Sequence, residues 1–324
     1  MKKILALLMA AVMVFALCAC GSSSAPAPAA SAAPEASEAP EAAEEAAPAE
    51  EAAEPAEEPA EEAAEPAEEA PAAEEAAEEA PAGAKEVLIM GTSADYAPFE
   101  FMYPDDKGDL VYGGIDVSVA QYIADFTGKE LKVENMGFDY LLVSLTKGDF
   151  DMVLAAIEET EERLASADFS DPYYTDYPPM ILIKAADKET YTSLESFDGK
   201  SVGAQTATTK EGIVTEQMPG ASLVSLQNVN DLVNQLVNDK VDAVVLDGAV
   251  ALNFVATNSD LAIASVDLGE AYPYRVAVAK GDPKGLLPGI NEAIADMIAN
   301  GKVEEFTESA NALEDVWQEV SAES

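Results

Sequence analysis

Between residues 21 and 84 the chain uses five amino-acid types only: 28 Ala, 19 Glu, 10 Pro, 5 Ser and 2 Gly. A stretch with no aliphatic larger than Ala and no aromatic has nothing with which to build a core. Its prolines cut short the helices that Ala and Glu would favour, and its like charges extend the chain. We expect a disordered tether, with a reach of at most about 3.3 Å per residue. Residues 85–324 are left to fold, enough for one large domain or two medium lobes.

Of the net charge of −45, the tether carries −19 and residues 85–324 carry −28. So acidic a chain is repelled by nucleic acid and by anionic surfaces, and no nucleic-acid partner is expected. There is no histidine, and both cysteines, Cys18 and Cys20, precede the tether. These absences remove His-based acid–base work, Ser-His and Cys-His nucleophiles and Cys/His zinc sites. Neither a metal, a cofactor nor a catalytic residue is expected.

Lys2 and Lys3 form a basic start, and Ile4 to Leu17 is an unbroken apolar run. That is the length of a signal-peptide core; a spanning helix needs about 20 residues. The run ends in Leu17-Cys18-Ala19-Cys20 before Gly21 and three serines, which resembles the bacterial lipoprotein box. The expectation is a signal peptide over 1–19, a lipidated Cys20 and the tether over 20–84. An ordinary signal peptide cleaved near Ala19 is the alternative.

From residue 85 onward short apolar runs alternate with helical periodicity. Strands are expected at Val87–Met90, Leu131–Val133, Met152–Ile157, Met180–Ile183, Val202–Gln205, Leu223–Leu226, Ala243–Leu246 and Val276–Ala279. Ile115, Val119, Tyr122, Ile123 and Phe126 make one helix face that Gly128 stops. Further helices are expected over Phe138–Leu145, 207–217, 229–238 and 286–300. Residues between Ile157 and Met180 read as a loop rich in Pro and Tyr. The alternation implies a mostly parallel sheet with helices on both sides. There is also an internal echo at a shift of 91: Leu141, Leu145, Asp151, Val153 and Leu154 correspond to Leu232, Leu236, Asp242, Val244 and Val245. It places Ala156 and Asp247 at equivalent strand ends, where ligands of open parallel sheets bind.

Several side chains near those ends suit a small charged ligand. Arg163, one of only two arginines, either clamps a carboxylate or pairs with the glutamates around it. Asp247 either receives an ammonium group or caps the next helix. Thr206-Ala207-Thr208-Thr209 opens a helix with hydroxyls and free amides, for an anion or for simple capping. Tyr96, Phe99, Phe101 and Tyr103 cluster in an early loop, where they either stack on a ligand or close the core.

Residues 86 to about 310 resemble the extracellular solute-binding proteins for polar amino acids that serve ABC importers. The resemblance lies in Thr92-Ser93-Ala94-Asp95-Tyr96-Ala97-Pro98-Phe99-Glu100, Gly113-Gly114-Ile115-Asp116-Val117 and Leu145-Thr146-Lys147-Gly148-Asp149-Phe150-Asp151. It continues through Thr160-Glu161-Glu162-Arg163, Asp168-Phe169-Ser170-Asp171-Pro172-Tyr173-Tyr174 and the stretch from Val202-Gly203 to Thr208-Thr209. It implies an α/β, two-lobed clamshell with hinge crossings near Met180–Lys184 and Tyr272–Val276. Lobe 1 would comprise 85–182 and 275–324, and lobe 2 residues 183–274. By the same resemblance Arg163 holds a ligand carboxylate, Asp247 its amino group and Thr209 the helix start, with Thr208 beside it. Tyr96 and Phe138 form walls, Ala156 lies at the strand end and Gln205 faces the side-chain end.

Two positions depart from the family pattern. Ser93 stands where relatives that bind basic amino acids often carry an acid, and Glu158 where many carry Ser or Thr. A glutamate there repels a ligand carboxylate unless it reaches an ammonium or cationic side chain instead; otherwise it points to solvent. The expected function is that of a non-enzymatic, monomeric binding protein for a free amino acid, polar or cationic. It would sit on the outer face of the bacterial cytoplasmic membrane through its lipid anchor and deliver to an ABC permease. A dehydratase-like clamshell enzyme and an amino-acid sensor are the alternatives.

Overall fold

The structure, a computed structural model, describes residues 85–323. The expected signal peptide, Cys20 and the expected Ala/Glu/Pro tether lie outside the described residues. In chain order the first elements are β1 (Val87–Thr92), β2 (Asp95–Tyr96), β3 (Glu100–Pro104), β4 (Leu110–Gly113), α1 (Ile115–Phe126), β5 (Glu130–Asn135), α2 (Phe138–Lys147), β6 (Met152–Val153) and β7 (Ala167–Thr175). Then come β8 (Met180–Lys184), β9 (Ser201–Gln205), α3 (Thr209–Gln217), β10 (Ser222–Leu226), α4 (Val229–Val237), β11 (Ala243–Leu246), α5 (Gly248–Thr257) and β12 (Leu261–Ile263). The last are β13 (Pro273–Ala279), α6 (Leu287–Ala299) and α7 (Lys302–Glu323). No helix among the described residues is long and apolar enough to cross a membrane.

Two five-stranded sheets result, ordered β5-β1-β6-β13-β7 and β10-β9-β11-β8-β12, with a small antiparallel sheet β2-β3-β4 beside them. In each large sheet the first three strands are parallel, and an antiparallel strand from the other end of the lobe lies against the third. The central strands β8 and β11 of the second sheet are apolar on both sides because both faces are covered there. In β11, Ala243 and Val245 join the core under α3, whereas Val244 and Leu246 join the core under α4 and α5. In the first lobe α2 covers one face with Leu141 and Leu145, and α1 and α6 the other with Val119, Ile123, Ile290 and Ile294.

The internal echo is a structural repeat. β6 and β11 hold the same third place in their sheets. Ahead of each strand an aspartate accepts a backbone N–H from the parallel neighbour: Ile89 N donates to Asp151 at 2.6 Å, and Ser201 N to Asp242 at 2.8 Å. The same carboxylate therefore fixes the same register twice.

Four expectations need correction. Met180–Lys184 pairs with β11 and β12, and Pro273 and Tyr274 pair with β7. The chain therefore crosses to the second lobe over 176–179, ahead of Met180, and is back in the first at Pro273, so the boundaries at 182/183 and 274/275 move by a few residues. Each apolar crossing segment is taken into the receiving sheet as an antiparallel strand. The strand expected over Met152–Ile157 leaves its ladder after Val153, and Ala156 adopts φ 45° with its N–H held by the Asp116 carboxylate at 2.7 Å. The presumed Pro/Tyr loop contains the nine-residue strand β7; register shifts beside Arg275 accommodate Pro172 at this sheet edge. The Tyr96–Tyr103 aromatics lie in or beside β2 and β3 rather than in a loop, with Phe99 packed edge-on against Tyr174 and Tyr274.

Gly114 precedes α1 with φ 119°, and a Cβ there would stand 2.1 Å from the Phe99 carbonyl oxygen. That carbonyl accepts from Asp116 N at 2.9 Å, so neither partner is free to move. Gly114→Ala is expected to destabilise the domain by about 2–4 kcal/mol in urea titration. Gly128→Ala, at φ 73° with open space around it, should cost only about 1 kcal/mol. Equal losses would rule out the steric account.

Candidate functional site

The carboxyl ends of β6 and β11 lead into one cleft between the lobes. The chain beyond β6 carries Glu158 and then Arg163 in a short 3-10 turn, Arg163–Ala165. Directly after β11 comes Asp247, and α3 opens on Thr209 and Lys210. These side chains form a buried ladder of alternating charge. Arg163 Nη1 donates to Glu158 Oε2 at 2.9 Å, and Lys210 Nζ lies 2.5 Å from Glu158 Oε1 and 2.6 Å from Asp247 Oδ1. Tyr96 donates its hydroxyl to Asp247 Oδ2 at 2.7 Å, and Thr209 Oγ1 donates to Glu158 Oε1 at 3.0 Å. Arg163, Glu158 and Tyr96 belong to the first lobe and Lys210, Thr209 and Asp247 to the second, so three of these contacts, Glu158–Lys210, Glu158–Thr209 and Tyr96–Asp247, cross the cleft.

The alternation sets the protonation states. Burial alone would push the Glu158 carboxyl up, but the Lys210 ammonium and the Arg163 guanidinium together hold it below its ordinary range. Burial disfavours the Lys210 charge, which Asp247 and Glu158 restore. Burial also pushes Asp247 up, against the pull of Lys210. Both Asp247 oxygens nevertheless accept, one from Lys210 and one from Tyr96, and a carboxylate suits that pattern better than an acid.

All nine expected positions can now be placed. Tyr96, Phe138, Ala156, Gln205 and Thr208 line an inner void of about 10 Å³, together with Ser93, Glu100 and Ala155. Thr209 lines an outer cavity of about 410 Å³ on the hinge side, with Asp176, Tyr177 and Tyr272. Glu158, Lys210 and Asp247 border both spaces and partition them. Arg163 lines neither; its guanidinium lies 5.3 Å from the Phe138 ring centre and reaches the Ala207 carbonyl across the cleft at 3.2 Å. Each open alternative has an outcome. Arg163 does pair with a neighbouring glutamate, but inside the protein, at 8 % exposure. Glu158 does not point to solvent, and Asp247 makes no side-chain cap of α5. The Thr208 hydroxyl donates back to the Gln205 carbonyl at 2.7 Å.

Two central residues were missed in the sequence. Lys210 sits in the first turn of α3, where a cation opposes the helix dipole. That local contradiction was the signal available. Glu100 is 1 % exposed between Phe99 and Phe101, and its Oε2 has no hydrogen-bond partner. A lone carboxylate amid aromatics could have raised the same suspicion. Burial first, then Asp116 and Asp95, push the Glu100 carboxyl well above its usual range, and Asp116 bonds to it.

Residues 88–310 match the family described as bacterial extracellular solute-binding proteins, family 3. The chain is 33% identical over 224 residues to the arginine-binding extracellular protein ArtP of Bacillus subtilis, covering 68% of this chain and 85% of that one. It is 30% identical over 216 residues to a probable histidine-binding protein of Campylobacter jejuni, covering 66% and 80%. Among solved structures, the amino acid ABC transporter substrate-binding protein AbpA of Streptococcus pneumoniae bound to L-arginine superposes with a TM-score of 0.67 at 33% identity, over 70% of this chain and 95% of that one.

Asp116 supports the site from beneath, accepting from Ala156 N and from the Tyr173 hydroxyl, both at 2.7 Å. Burial outweighs these bonds and pushes its carboxyl up to about 6. The folded state therefore binds a proton more tightly than the unfolded chain. Its stabilising effect is complete below about pH 4 and is lost as the pH rises through about 6, on the order of 3 kcal/mol in all. Burial also pushes the Asp176 carboxyl up to about 6, so Asp116→Asn should reduce, without abolishing, the slope of stability between these limits, measured by urea titration at stepped pH. A slope equal to that of the wild type would place the titration elsewhere.

Proposed function

Because the chain belongs to the bacterial extracellular solute-binding proteins of family 3, we propose that it captures an amino acid with a cationic side chain outside the cell and passes it to an ABC permease. It is a binding protein and not an enzyme, as its family relatives are. The reading is carried by one arrangement: a guanidinium from the first lobe and a carboxylate from the second serve the same enclosed cleft. Arg163 suits a ligand carboxylate and Asp247 a ligand ammonium, so one zwitterion satisfies both only when the lobes are together. Thr209, at the start of α3, adds a hydroxyl to the carboxylate end.

The side-chain end is acidic. Glu100 presents an unpartnered oxygen beside Ser93, Phe138 and Gln205, and Asp95 and Asp116 lie close behind it. A guanidinium or ammonium would satisfy that oxygen and hold the carboxyl ionised, while the Phe138 face accepts the aliphatic stem. Arginine-binding relatives at 33% identity support the same ligand class. The lipobox supports anchoring at Cys20, with the tether holding a monomeric domain away from an anionic envelope.

Calorimetry of residues 85–324 with L-arginine should give micromolar or tighter affinity, about −8 kcal/mol or better. Glu100→Gln should weaken arginine binding about 10- to 100-fold and leave its neutral analogue citrulline nearly unaffected. The cationic assignment is overturned if wild-type protein binds alanine as well as arginine.

Replacing Cys20 by serine in the full chain should leave the domain folded and move it from the membrane fraction to the soluble fraction. Retention of a fully processed Cys20→Ser chain on membranes would exclude lipid anchoring.

A further inference from the structure

The ladder has a property that the proposed function leaves unused. Each contact that an amino acid's two head groups would make is already made by a group of this chain. The Glu158 carboxylate occupies the Arg163 guanidinium and the Thr209 hydroxyl. The Lys210 ammonium occupies Asp247. Lys210 and Glu158 also meet each other, as the two ends of a zwitterion would not. The pair is 4 % and 3 % exposed, and it separates the inner void from the outer cavity. At about 10 Å³ the inner void has room for one water at most.

We infer that Glu158 and Lys210 are a built-in competitor: an internal ion pair that closes the lobes on its own and that a ligand must displace from Arg163 and Asp247. The inference rests on the proposed roles of those two residues. Lys210 spans the cleft from α3 to Glu158, and Tyr96 and Thr209 close the same gap on either side. Two further contacts tighten the lobes around it: Val229 N donates to Asp95 Oδ2 and Gln227 Nε2 to Asp139 Oδ2, both at 2.8 Å. In the first lobe the Glu158 backbone bridges to Tyr274, on the strand that returns from the second lobe, so its side chain is presented from a fixed base.

Displacement has a consequence for selectivity. A ligand's ammonium and carboxylate replace an ammonium and a carboxylate already in place, so the head-group exchange contributes little net affinity. The deciding contribution then falls on the ligand side chain, where Glu100 Oε2 has no internal partner to lose. A small neutral amino acid gains almost nothing by entering. The closed form also reduces apparent affinity by the fraction of molecules that are open and competent.

The test uses small-angle scattering and calorimetry on the domain, stripped of bound solutes by unfolding and refolding. Glu158→Gln with Lys210→Met removes both charges, keeps similar volumes and leaves the net charge unchanged. Ligand-free wild type should already have the radius of gyration of the arginine-saturated protein. The double variant should be measurably larger without ligand, contract on adding arginine and bind it about tenfold more tightly or better. A wild type that is open without ligand overturns the inference whatever the variants do. So does a double variant that binds arginine more weakly, which would make Glu158 and Lys210 ligand contacts. If the double variant does not fold, Lys210→Met alone removes the bridge and is held to the same expansion. Should arginine fail to bind wild type, the cationic reading falls, while the comparison of ligand-free radii still decides the inference.

Discussion

A row of four buried charges, Arg163, Glu158, Lys210 and Asp247, ties the two lobes together, and the cleft depends on its alternation. Each charge loses most of its hydration, a cost of several kcal/mol per ion that a lone group could not sustain. Only a sequence of cation, anion, cation and anion lets every member face an opposite neighbour at 2.5–2.9 Å. Removing one partner leaves its neighbour buried and unpaired, worth about 3–5 kcal/mol. The cleft is therefore electrostatically complete only when both lobes contribute.

That convergence follows from a repeated unit. In each lobe a helix, a tight turn with an aspartate and a buried third strand recur, and Asp151 and Asp242 fix the strand registers by the same hydrogen bond. The repeat delivers two strand carboxyl ends to one crevice, yet the ends differ. Beyond β6 the chain leaves the sheet after Val153, turns at Ala156 and carries Glu158 and Arg163 some residues further on. Beyond β11 it passes directly into α5, so Asp247 stands at the strand end itself. A guanidinium beyond one strand and a carboxylate beyond the other arise from one topology because the loops after the two strands differ in length.

The large elements were legible because both sheets are covered on both faces. Fully buried strands read as apolar runs, and α1, α2, α4 and α6 carry clean apolar faces. β7 was not legible: its buried residues, Ala167, Ser170 and Tyr173, do not keep the two-residue period of a strand, polar side chains and Pro172 stand between them, and it lies at a sheet edge held mainly by β13. The hinge boundaries slipped because an apolar crossing strand looks the same whichever sheet receives it. At the site, Arg163 and Asp247 could be singled out by residue type and strand-end position. For Lys210 the one local sign was a cation in the first turn of α3, and its role exists only through Glu158 and Asp247, 52 and 37 positions away. Pairings of that kind are properties of the closed cleft and cannot be read from neighbouring residues.

The charge of the whole domain and the charge of the cleft have separate roles. Residues 85–324 carry −28, which draws cations towards the surface and repels acidic solutes before contact. That attraction is screened over about 8 Å at physiological ionic strength, so it acts on encounter rate more than on recognition. The four-residue ladder sums to zero and adds no field of its own at long range. Selection in the cleft must therefore come from a short-range imbalance, and Glu100 is where the internal pairing leaves an oxygen unsatisfied. On the proposed reading a cationic side chain is favoured twice, by the field that brings it in and by a Glu100 oxygen that no group of the chain satisfies.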